Sequence, residues 1–179
     1  MNLDRALQTP GWVSEDEVRW LAEKASTKSC IAEIGSWRGK STRAMADNTS
    51  ATIYAVDTWG GTPDDGIQAA ELAQLPHGLY EDFQKNLSGC TNVRPMRMTS
   101  LEAASKLSDL RFDMIFIDAA HDYESVKSDI LAWRSLLAPN GLLCGHDFGG
   151  AEGVNRAVNE LISTSKVDVG MIWYACDTL

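Results

Sequence analysis

Short, continuously apolar runs alternate along this chain with amphipathic stretches of helical period. Four runs stand out: Cys30-Ile31-Ala32-Glu33-Ile34, closed by Gly35; Thr52-Ile53-Tyr54-Ala55-Val56, ending at Asp57; Phe112–Ile117; and Leu142-Leu143-Cys144. Their apolar residues run on rather than alternate, the pattern of parallel strands buried on both faces. Between them lie helical stretches. Ser14, with Glu17 three residues on, forms a capping box for a helix whose stripe is Val18, Leu21, Ala22 and Ala25. Further helices are predicted from Lys40 to Ala46, from Tyr123 to Leu137 and from Val154 to Ile162. The third of these four stops at the breaker Pro139-Asn140-Gly141. Residues Val167–Tyr174, with Gly170 between them, supply the final strands, either two short ones or one bent one. Strand and helix in alternation predict an α/β fold, a doubly wound, mostly parallel sheet with helices on both faces. One domain over 1–179 is expected, with 1–13 as a short leader ending in Pro10-Gly11. The Gly- and Asp-rich stretch 58–80 is expected to be a lid-like insertion, because it follows a strand's C-terminal end, where such folds bind ligands. A passive surface loop is the alternative.

Composition narrows the function classes. The chain has 179 residues and a net charge of −9, with its Lys and Arg residues scattered. A phosphate backbone would repel that field, so nucleic acid is not an expected partner. No apolar run is long enough to span a bilayer, so no membrane partner is expected either. The opening Met1-Asn2-Leu3-Asp4-Arg5 lacks a signal-peptide pattern, which makes cytoplasmic localisation the expectation. Cys30, Cys90, Cys144 and Cys176 form no C-x-x-C pair and are read as reduced core residues.

Chemistry first appears at the turn Glu33-Ile34-Gly35-Ser36-Trp37-Arg38-Gly39-Lys40-Ser41-Thr42. Gly35 and Gly39 let the backbone pass close to a ligand. Their G-x-x-x-G spacing is neither the dinucleotide fingerprint G-x-G-x-x-G nor a P-loop. Glu33 lies inside an apolar strand, where a carboxylate is costly without a partner. Asp57 ends the second strand, where doubly wound folds place the acid that binds ribose hydroxyls. A turn-capping Asp is the plainer reading.

On these residues the sequence resembles the class I S-adenosylmethionine-dependent methyltransferases, which have a Rossmann-like sheet. The Glu33–Thr42 turn resembles their first motif, and Ala55-Val56-Asp57-Thr58-Trp59 their second-strand motif. More narrowly, it is similar to the sugar and macrolide O-methyltransferases related to cephalosporin-hydroxylase-like proteins. That group has an Ile-Asp-x-x-His stretch, matched by Ile117–His121, and a His-Asp or Glu-Asp pair after the fifth strand, matched by His146-Asp147. The resemblance implies S-adenosylmethionine as cofactor. Glu33 would lie near its amino acid end, Gly35, Ser36 and Gly39 would shape the turn beneath it, and Asp57 would bind the ribose. Thr99 and Ser100 would lie near the adenine.

Asp118 and His121 follow one strand, and His146 and Asp147 follow the next; two of the chain's three histidines fall here. Neighbouring parallel strands are about 4.8 Å apart, so acids at matching ends converge on one ion. In O-methyl transfer a divalent cation such as Mg²⁺ would lower the pKa of the attacking hydroxyl, and a histidine would accept its proton. Asp118 and Asp147 are the candidate metal ligands, with His146 joining them for a softer metal. His121 is the candidate base, and Asp118 a second catalytic candidate. Three alternatives stay open: Asp118 touching the cofactor's methionine end without a metal, His121-Asp122 capping a helix, and His146 as a structural histidine. The expected activity is O-methylation of a small-molecule acceptor, a sugar or glycosylated metabolite, by a chain that would complete its pocket as a homo-oligomer. A nicotinamide-dependent oxidoreductase and a non-catalytic S-adenosylmethionine- or metal-binding protein are the competing readings.

Overall fold

The computed structural model describes residues 1–61 and 66–175. The chain runs α1 (Asp4–Gln8), α2 (Glu15–Ala25), β1 (Cys30–Ile34), α3 (Lys40–Ala46), β2 (Thr52–Asp57), α4 (Gly66–Leu72) and α5 (Leu79–Asn86). It continues with β3 (Val93–Arg97), α6 (Ser100–Lys106), β4 (Phe112–Ile117), α7 (Tyr123–Arg134), β5 (Leu137–Gly145), α8 (Glu152–Leu161), β6 (Ser165–Val169) and β7 (Ile172–Ala175). The described strands form one sheet in the order β3-β2-β1-β4-β5-β7-β6. Neighbours from β3 to β5 are parallel, whereas β7 is antiparallel to both β5 and β6. This is the doubly wound, Rossmann-like sheet that the alternation predicts.

The unbroken apolar runs are explained by two cores. Ile31, Ile53, Met114 and Phe116 turn to one face, against α1, α2, α3 and α5. Ala32, Ile34, Ile115 and Ile117 turn to the other, against α6, α7 and α8. Strand side chains alternate between faces, so a strand covered on both sides is apolar at nearly every position. Ser14 caps α2 with both halves of its capping box in place.

Within the leader α1 forms, and Leu3, Ala6 and Val13 are buried in the first core. The Pro139-Asn140-Gly141 signal does not precede β5 but sits inside it as a bulge, with pairing jumping from Phe112↔Leu137 to Met114↔Leu142. Asn140 takes the left-handed conformation that lets the strand resume. The lid-like stretch contains α4 and the start of α5; its residues 62–65 lie outside the described residues. The last strands are two, β6 and β7, as the first of the two sequence alternatives has it.

Candidate active site

A cavity of about 450 Å³ opens at the carboxyl ends of the central strands, where open α/β sheets bind ligands. Its floor is the β1–α3 turn. Gly35 has φ +89°, and a Cβ there would lie 1.9 Å from the backbone oxygen of Asp118. Only glycine lets the turn leaving β1 pass this close to the end of β4. Ser36 follows it along the cavity wall.

Glu33 is fully buried beneath this turn and does not line the cavity. Its Oε2 accepts hydrogen bonds from the Ser36 hydroxyl at 2.8 Å and from the Thr42 hydroxyl. Burial pushes its pKa up against those hydroxyls. Glu33 ties the turn to α3 from beneath it. Gly39 shapes the other end of the turn: its φ is +89°, and a Cβ there would strike Leu87 and Phe83, so it also lets α5 pack close.

Asp57 reaches the cavity from the end of β2. Its Oδ2 accepts the backbone N–H of Trp37 at 2.8 Å, and its Oδ1 that of Trp59 at 2.7 Å. The Trp59 indole N–H donates to the Trp37 carbonyl at 2.8 Å. Both tryptophans are left-handed, with φ 46° and 50°, a conformation rare for bulky residues. Burial raises the Asp57 pKa, and the backbone N–H groups oppose it. Met98 and Ser100, after β3, form the next part of the wall. Thr99 does not reach it, since its hydroxyl is bound to Glu102 in the capping box of α6.

The β4 and β5 ends bring together Asp118, His121, His146 and Asp147. His121 Nε2 lies 3.0 Å from Asp147 Oδ2. Asp118, His121 and Asp147 each offer a ligand atom, and those atoms all lie within 4.8 Å of one another. Two carboxylates and an imidazole fit a hard or borderline divalent cation. His146 does not belong to this set. Its Nδ1 is 3.4 Å from Asp147 and 3.7 Å from Asp118, while its Nε2 is 3.1 Å from Glu17 Oε1. Burial would lower its pKa, yet the carboxylates of Asp147, Glu17 and Asp118 push it up to about 10. His146 thus lies outside the grouped ligand atoms, with Glu17 on one side of its ring and Asp147 on the other. Burial pushes Asp118 up, with His146 opposing, and the two histidines hold Asp147 down against burial.

Sequence reasoning missed two parts of the site. Glu17, from α2, is 2% exposed and accepts the N–H of Met171 at 2.8 Å besides contacting His146. Burial would raise it, but His146, Met171 and Ser14 hold its pKa at about 2. Its capping-box position explains its conformation and conceals its second partner. The other missed part is the former leader. Pro10–Val13 line the cavity, Trp12 stacks on Trp37 with ring centroids 5.4 Å apart, and Lys40 Nζ donates to the Gly11 carbonyl at 3.2 Å. No apolar periodicity marks such a segment.

Solved structures share this architecture. An O-methyltransferase from Bacillus cereus in complex with SAH is 18% identical over 96% of this chain and 89% of its own, with a TM-score of 0.69. CalS11, a calicheamicin methyltransferase, is 15% identical over 91% and 80%, with a TM-score of 0.66. Cofactor-bound Rv0187 from MTB is 18% identical over 96% and 84%, also at 0.66. No curated protein matches by sequence. Fold, glycine turn and strand-end acid together define an S-adenosylmethionine-dependent methyltransferase. Residues 32–148 match the methyltransferase domain family, and the chain belongs to it. Family membership answers the competing oxidoreductase reading.

Proposed function

We propose that this methyltransferase acts on a hydroxyl of a small molecule, a sugar or glycosylated metabolite, with a divalent cation assisting. The observation that carries this reading is the convergence of Asp118, His121 and Asp147 at one edge of the cavity. The cofactor fits the remaining wall: the Gly35 turn leaves room for a backbone-hugging ligand, and Asp57 offers a carboxylate for ribose hydroxyls. S-adenosylmethionine supplies an electrophilic methyl group on a sulfonium.

The chain's own residues then do three things. Asp118 and Asp147 would hold a divalent cation, which would acidify the acceptor hydroxyl. His121, its Nε2 3.0 Å from Asp147 Oδ2, takes the hydroxyl proton, and the Asp147 carboxylate steadies the resulting imidazolium. Trp12 and Trp37 present a flat apolar wall to the body of the acceptor. The sugar assignment draws on that wall and on the sequence resemblance.

Methyl transfer to a panel of sugars and glycosylated metabolites, followed by mass spectrometry, tests the reading. A product methylated on oxygen is expected. Methylation confined to nitrogen or carbon acceptors would overturn it.

A further inference from the structure

The sheet order sets where each part of a nucleoside cofactor falls. With the ribose at Asp57 on β2 and the reacting end toward Asp118 on β4, the base must lie beyond β2. The strand there is β3, followed by Met98 and Ser100 on the cavity wall. Ser100 is the polar side chain of that wall, and its hydroxyl is not free to turn. It donates to Asp129 Oδ1 at 2.5 Å and accepts the indole N–H of Trp133 at 2.8 Å. Asp129 and Trp133 stand four residues apart on α7, on one helix face. Both are buried, Asp129 at 6% exposure and Trp133 at 0%.

A serine hydroxyl has one hydrogen and two lone pairs. Asp129 takes the hydrogen and Trp133 one lone pair, so what remains can only accept. Burial pushes the Asp129 pKa up to about 6, against the Ser100 hydrogen bond, so above that pH the side chain is a carboxylate and must accept. An adenine carries a donor, its exocyclic amino group, where a hypoxanthine carries an oxygen.

We propose that Asp129 is a positioning residue for base recognition: with Trp133 it fixes Ser100 as an acceptor for the amino group of the cofactor's adenine. The arrangement selects a 6-amino purine and rejects a 6-oxo purine. The proposal rests on the cofactor placement given above.

Calorimetry with S-adenosylhomocysteine and its 6-oxo analogue, S-inosylhomocysteine, tests it. The unaltered chain should prefer the adenine form by roughly tenfold or more, one hydrogen bond gained against one lost. Asp129→Leu frees the Ser100 hydrogen to donate to an oxo group, and the preference should shrink severalfold. Asp129→Asn keeps an acceptor oxygen and should keep the preference. Ser100→Ala should lose it while remaining folded, since the residue is only half-buried. An adenine preference unchanged in both Asp129→Leu and Ser100→Ala overturns the proposal and leaves the cofactor site standing. Binding of neither ligand by the unaltered chain overturns both.

Discussion

Asp57 accepts the backbone N–H of Trp37 at 2.8 Å, joining the end of β2 to the turn after β1 across the floor of the cavity. The same carboxylate accepts Trp59 N–H, so one acid holds two tryptophans in left-handed backbone conformations. Each such residue costs about 1–3 kcal/mol in isolation and persists only where its surroundings enforce it. Asp57 and the Trp37 side of the cavity are thus one structural unit.

Gly35→Ala should be severely destabilising. The left-handed backbone alone costs about 1–2 kcal/mol, and the new Cβ would overlap the Asp118 backbone oxygen. Urea denaturation should show a lowered midpoint, or the variant should fail to accumulate as folded protein. A midpoint equal to that of the unaltered chain would contradict the close passage of the turn leaving β1 by the end of β4.

His146→Ala, in EDTA, should cost about 3–5 kcal/mol by leaving the buried Glu17 without its counter-charge. The pH dependence follows from both partners. His146 is raised from 6.5 to about 10, so its contribution is full below pH 6.5 and fades as pH rises through 10. Glu17 is lowered from 4.5 to about 2, so its contribution is full above pH 4.5 and fades as pH falls through 2. The stability gap between the two proteins should peak between pH 4.5 and 6.5. A gap that grows from pH 7 to 10 would contradict the pairing.

Much of this was legible in the sequence, and what was not has physical reasons. Unbroken apolar strands report burial on two faces, which is why β1, β2 and β4 are found where the pattern puts them. The four strand-end residues at β4 and β5 do converge. Their division of labour was hidden, because His146 is defined by Glu17, a residue far away in the chain on α2. Glu33 and Asp57 look alike as acids in or after apolar strands, yet one faces a core and the other the cavity. Position within the strand against position at its end separates them.

EDTA should abolish methyl transfer, with restoration by Mg²⁺ or Mn²⁺, as two carboxylate ligands suggest. Turnover indifferent to EDTA would leave Asp118 and Asp147 as partners of the histidines alone.

His121→Ala should lower kcat by about 10²–10⁴-fold with little change in cofactor affinity, because a base acts in the transition state. The drop should be read from turnover at saturating acceptor. A variant with unaltered kcat would remove His121 from proton transfer.

The most direct measurement is calorimetric titration of S-adenosylhomocysteine into the unaltered chain and into Asp57→Ala. One molecule should bind per chain, and the variant should lose about 1.5–3 kcal/mol of affinity, roughly 10- to 150-fold. Absence of binding to the unaltered chain, or equal affinity in a folded Asp57→Ala variant, would contradict the placement of the cofactor in this cavity.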